Sequence, residues 1–94
     1  MKNQPTCWLQ PGDLVKLRIP AGFYDTTQDF WMEDCIWLKP EDEQIFLVTY
    51  VDYDDDALGF HVHILNKEKP MVIEWATDNK HLKCIFNLVS ERSL

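Results

Sequence analysis

The chain is poor in bases, in glycine and in long apolar runs. Nine Lys and Arg stand against sixteen Asp and Glu in 94 residues, and only two of the nine are Arg. Affinity for nucleic acid phosphates comes from clustered Lys and Arg, so direct nucleic acid binding is not expected. No run approaches the roughly 20 apolar residues that cross a bilayer as a helix, so no membrane partner is expected. The opening Met1-Lys2-Asn3-Gln4-Pro5 lacks the apolar stretch of a secretion signal, which makes a cytoplasmic protein the expectation. The three cysteines, Cys7, Cys35 and Cys84, are odd in number and show no CxxC spacing. They read as free thiols packed as small core residues in a reducing compartment. With no glycine-rich phosphate loop, nucleophile elbow or zinc-finger spacing, no enzyme and no cofactor is implied.

What is present is apolar content and acid. The residues are 46% hydrophobic and 13% aromatic, too apolar for a disordered chain and rich in the rings that strands favour. The length gives one domain, with residues 1–12 as an extended lead-in, 13–89 as the folded body and 90–94 as a frayed tail. The charge is unevenly spread. From Asp25 to Asp56 eleven acids face the single base Lys39, a net −10, while the rest of the chain is basic by three and the total is −7.

The stretch Ile45 to Leu65 reads as an antiparallel hairpin with an acidic tip at Asp54-Asp55-Asp56-Ala57-Leu58-Gly59. In its second arm Phe60, Val62 and Ile64 share one face, and His61 and His63 the other. The first arm is apolar on both faces, which predicts a central strand covered on both sides. Gly59 is read as the tip residue that takes positive φ. Upstream, Asp13 to Ile19 is a strand ended by Pro20. Residues 20–44 form a long connection, in which Ala21-Gly22 turns, Thr27 could cap one helical turn over 27–33, and Cys35 to Leu38 is a short strand. Downstream, Asn66 to Lys69 is a turn, and Pro70 to Trp75 a strand with Met71, Ile73 and Trp75 on one face. Ala76 to Lys80 makes a single 3₁₀ turn at the cap signal of Thr77 or Asp78. His81 to Val89 is the last strand. The fold class is therefore all-β.

The order of these elements, opened by the PGDLVKLR stretch of Pro11 to Arg18, is similar to small SH3-like barrels of five to six antiparallel strands. Src-homology 3, Tudor and KOW domains belong to that group. The ALYDY-type opening and the paired tryptophans of proline-peptide binders are absent here, and the basic and glycine residues of a KOW motif are too few. Tudor domains build aromatic cages for methylated Lys or Arg, and this chain has the aromatics for one. As topology, the resemblance implies that residues 20–44 and the tip 54–58 flank one groove at the same end of the barrel. The candidate partner-binding residues are then Tyr24, Asp25, Asp29, Phe30, Trp31, Glu33, Asp34, Glu41, Asp42, Glu43, Asp54, Asp55 and Asp56. Trp8, Trp37 and Trp75 are read as core or rim packing.

The expected function is a non-enzymatic interaction module that binds a basic protein surface or a Lys/Arg-rich segment. One form of it is an inhibitor whose carboxylates mimic nucleic acid phosphates; in size and charge the chain is similar to phage-encoded modulators, which act in the host cytoplasm. Two readings stand beside it. One is a structural or accessory subunit of a larger complex. The other is a small metal-dependent protein using His61 and His63, which would still need a third ligand. Asp52-x-Asp54-x-Asp56 resembles the start of a calcium loop, but Ala57 and His63 stand where glycine and glutamate are required. No metal is assigned.

Overall fold

A computed structural model describes residues 5–27, 35–41 and 44–90. Seven antiparallel strands form one curled sheet, a half-barrel, with one short helix. The strands are β1 (Leu14–Leu17), β2 (Ala21–Asp25), β3 (Ile36–Leu38), β4 (Phe46–Asp54), β5 (Gly59–Asn66), β6 (Lys69–Ile73) and β7 (Phe86–Ser90), with α1 at Asn79–Ile85 before β7. Their order across the sheet is β3-β2-β6-β5-β4-β1-β7. Register irregularities between Val48 and Tyr50 in β4, and between Leu14 and Val15 in β1, add local bend to the sheet. The curl brings distant strands together. Phe23 on β2 and Phe86 on β7 are five places apart in the sheet, yet their rings meet edge to face with centroids 6.3 Å apart.

The hollow of the half-barrel is the core. Phe23, Phe46, Val48, Val62, Ile64, Met71, Leu82 and Phe86 are fully buried there, and Cys7 and Leu9 of the lead-in join them. The Asn79 side chain pins the lead-in to α1, accepting from the Trp8 N–H at 2.6 Å and donating to the Thr6 carbonyl at 2.9 Å. The Lys83 ammonium lies 5.7 Å from the centre of the half-buried Trp8 ring, within cation–π range.

Several sequence expectations need correction. Ala21 and Gly22 do not turn; they open β2, which pairs with β3 on one side and β6 on the other. The reason is Phe23, whose burial draws the segment into the sheet. The helix is an α-helix, not a 3₁₀ turn, and it takes residues 81–85 away from the expected last strand. Asp78 caps it by accepting from the His81 N–H at 2.8 Å, which also holds its carboxyl below the usual range. Leu82, Ile85 and Phe86 are spaced three to four apart, so the helix turns Leu82 into the core and leaves Cys84 exposed. The first hairpin arm is covered on one side only: Phe46 and Val48 are buried, while Ile45, Leu47 and Tyr50 are exposed. Gly59 is not the left-handed residue of the tip. Leu58 is, with φ 55°, as is Lys67 in the next turn, with φ 59°. Residues 28–33 of the expected helical turn and 91–94 of the expected frayed tail lie outside the described residues.

Candidate functional site

The strand registers decide where the acids stand. Asp54 pairs with Gly59 at one end of β5, and Asn66 pairs with Lys69 at the other. Asp25 lies opposite Met71, which in turn lies opposite Ile64. That places Asp25 five residues, or about 17 Å, along β5 from the tip. Glu41 lines a hollow with Asn66 and Lys67, again at the far end. The described acids of the two runs therefore stand at opposite ends of the sheet, not at one end as the barrel comparison implied. The cause is that residues 20–44 hold two strands, β2 and β3, which carry the chain across the sheet.

The individual carboxylates divide by task. Asp25 is buried; its Oδ1 accepts from the Thr27 N–H at 2.9 Å and the Thr27 hydroxyl at 2.6 Å, and Lys69 stands 3.8 Å away. Those bonds hold its carboxyl below the usual range, the Thr27 hydroxyl first among them. It closes a turn. Asp54 shapes the tip: its Oδ1 accepts from the N–H groups of Asp56 and Ala57, and its Oδ2 is 3.1 Å from His61 Nε2. The imidazole contact leads the causes that lower its pKa. Asp55, Asp56 and Glu41 are exposed, and Tyr24 is half-buried on the outward face. Asp29, Phe30, Trp31, Glu33, Asp34, Asp42 and Glu43 lie outside the described residues.

His61 and His63 share the outward face of β5, both half-buried. The His63 ring meets Tyr50 edge to face at 5.1 Å, and burial lowers its pKa, with His61 adding to the shift. No cluster of three or more His, Cys, Asp or Glu able to hold a metal ion stands among the described residues. No helix among them is long and apolar enough to cross a membrane.

A groove of about 420 Å³ is lined by Ile19, Pro20, Ala21, Gly22, Trp37, Ile73, Glu74, Trp75, Thr77 and Ile85. It opens where the link after β1 reaches β2 and meets the end of α1; the Arg18 N–H donates to the Ile85 carbonyl at 2.7 Å there. Sequence reading assigned Trp37 and Trp75 to packing. Instead they are 62% and 73% exposed. Trp37 sits on the short edge strand β3, where one flank has no neighbouring strand among the described residues. Trp75 follows the end of β6 at Ile73, so the alternation that buries Met71 and Ile73 no longer applies to it. Glu74 supplies the only charge in the lining among the described residues.

This groove adjoins the acidic tip. Thr77, in its lining, forms a two-bond bridge with Phe60, N–H to carbonyl at 2.8 and 2.9 Å. Phe60 follows Gly59, which pairs with Asp54. Trp37 and Trp75 and the acids of the tip thus share one end of the molecule; Phe30 and Trp31 lie outside the described residues. The signal that could have found Trp75 is the length of β6: a strand ending at Ile73 releases it. Comparisons with protein-family models, with curated proteins and with solved structures return no match.

Proposed function

We propose that this protein is a non-enzymatic interaction module that docks a basic, Lys/Arg-rich protein surface at the Trp37–Trp75 groove and the acidic tip beside it. The observation that carries the reading is the lining of the groove, which among the described residues has two exposed indoles, apolar walls and a single carboxylate. Exposed tryptophans are the side chains that most often supply binding energy when buried by a partner. The net charge of −7 speeds approach of a basic partner, and the groove then supplies the slower dissociation. The half-barrel is read as an open variant of an SH3-like barrel, and a partner that normally binds nucleic acid would meet carboxylates where it expects phosphates. Titration with a Lys/Arg-rich peptide tests the proposal. Binding should weaken steeply between low and moderate salt, and W37A or W75A should weaken it by about 2 kcal/mol each. Salt-indifferent binding, untouched by either substitution, would remove it.

A second reading has its own observation. Ile45, Leu47 and Tyr50 leave an apolar strip exposed on β4, as a subunit of a larger assembly would. Self-association in the ultracentrifuge that persists at high salt would favour it.

A further inference from the structure

One row of residues crosses β3, β2 and the end of β6 inside the groove. Trp37 pairs directly with Gly22. On the other side of Gly22 stands Glu74, whose N–H donates to the Gly22 carbonyl at 2.9 Å. Residues opposed in this way point to the same face of a sheet. Gly22 has no side chain, and the Glu74 carboxylate lies over it: a Cβ built on Gly22 would come 2.6 Å from Glu74 Oε2 and 3.1 Å from Cys35 Sγ. The carboxylate is thereby carried onto β2, one strand spacing, about 4.8 Å, from the strand that bears Trp37. Glu74 makes no ion pair or hydrogen bond through its carboxylate among the described residues. Neither Arg18 nor Lys39, the bases next in sequence to the groove, reaches it.

We infer that the Trp37–Gly22–Glu74 row seats a single arginine side chain of the basic partner; the inference rests on the docking reading above. A carboxylate beside an exposed indole, with no base in reach of it among the described residues, calls for a cation. A guanidinium is the cation that satisfies both at once, because it is planar, stacks on aromatic rings, is weakly hydrated and offers a carboxylate two parallel N–H donors. An ammonium is a compact, strongly hydrated charge that gains less from the indole. The groove, at about 420 Å³, leaves room for the chain that carries it.

The test uses the full chain and three capped tripeptides, with arginine, lysine or citrulline between two glycines, followed through the tryptophan indole N–H resonances. The arginine peptide should shift the Trp37 resonance with millimolar affinity, and citrulline, which keeps the shape and loses the charge, should not. E74Q should weaken the arginine peptide about tenfold, as expected for loss of a charge-assisted pair. G22A should do the same by expelling the carboxylate; because it could also disturb the fold, the isosteric E74Q decides. Lysine binding as tightly as arginine would overturn the assignment of the occupant. A nine-residue Arg/Lys peptide separates the two readings. If it binds wild type and E74Q equally, the seat is refuted and the docking surface stands; if it does not bind at all, both fall.

Discussion

Replacing Gly59 with alanine drives a methyl group into backbone. A Cβ at this position would come 2.7 Å from the Thr77 nitrogen, 2.9 Å from the Ala76 carbonyl carbon and 3.1 Å from that of Thr77. These are main-chain atoms, which cannot swing aside as a long side chain can. Relief requires the 76–77 segment to move off the hairpin, and that breaks the Phe60–Thr77 bridge with its hydrogen bonds of 2.8 and 2.9 Å. Overpacking typically costs about 1–3 kcal/mol, and each lost hydrogen bond about 1 kcal/mol net. The sum is about 3–5 kcal/mol, a large part of the roughly 5–14 kcal/mol a domain of this size holds. Urea denaturation should show the midpoint fall with the slope unchanged, and the melting temperature should drop by roughly 12–40 °C. The same displacement moves Thr77 and Trp75 in the groove wall, so the Trp75 indole resonance should shift in the folded variant. A G59A protein within about 0.5 kcal/mol of wild type, well inside the cost of overpacking, would refute the close approach on which the joining of tip and groove depends.

The adjoining residue should respond in the opposite sense. Leu58 holds φ 55° with its side chain 71% exposed, so L58G relieves a left-handed backbone and gives up little packing; a gain of about 0.5 kcal/mol is expected in the same urea assay. L82A should cost about 2–5 kcal/mol, because Leu82 is the fully buried side chain of α1. The His63 pKa is lowered by burial, so the fold prefers the neutral ring. Its contribution is complete above about pH 6.5 and is lost as pH falls through the lower folded value. Stability should therefore decline from pH 7 toward pH 5, and H63Q should flatten that decline. Asp25, Asp54 and Asp78 are also held below the usual carboxylate range. They add a further loss of stability, but only as pH falls below about 4.

The hairpin was the most legible part of the sequence. Alternation of Phe60, Val62 and Ile64 against His61 and His63 named both faces of β5 correctly, because a two-residue period has one structural reading. The segment Ala21–Asp25 was not legible, since a glycine beside an alanine reads as a turn until Phe23 is seen to need a core. The run Leu82 to Leu88 carries both periods at once; only the Asp78 cap and the packing of Leu82 and Phe86 choose helix for its first half. For the candidate site, the acids of the tip were visible as chemistry but not as geometry. Which end of β5 they share, and with which rings, depends on strand order, and strand order is set by long-range pairing. Gly22 and Glu74 gave no local signal, as their closeness exists only across two strands. The exposure of Trp37 and Trp75 likewise follows from where β3 and β6 end.

The most direct test of the central claim is a chemical-shift map of the full chain titrated with a Lys/Arg-rich peptide at about 25 mM and about 300 mM salt, a range over which screening between exposed charges rises steeply. The account predicts that the indole N–H groups of Trp37 and Trp75 and the amides of Asp55 to Ala57 shift together, with affinity falling sharply at the higher salt. Shifts centred on Leu47 and Tyr50, or on the Asn66–Lys69 turn, with affinity unchanged by salt, would contradict it.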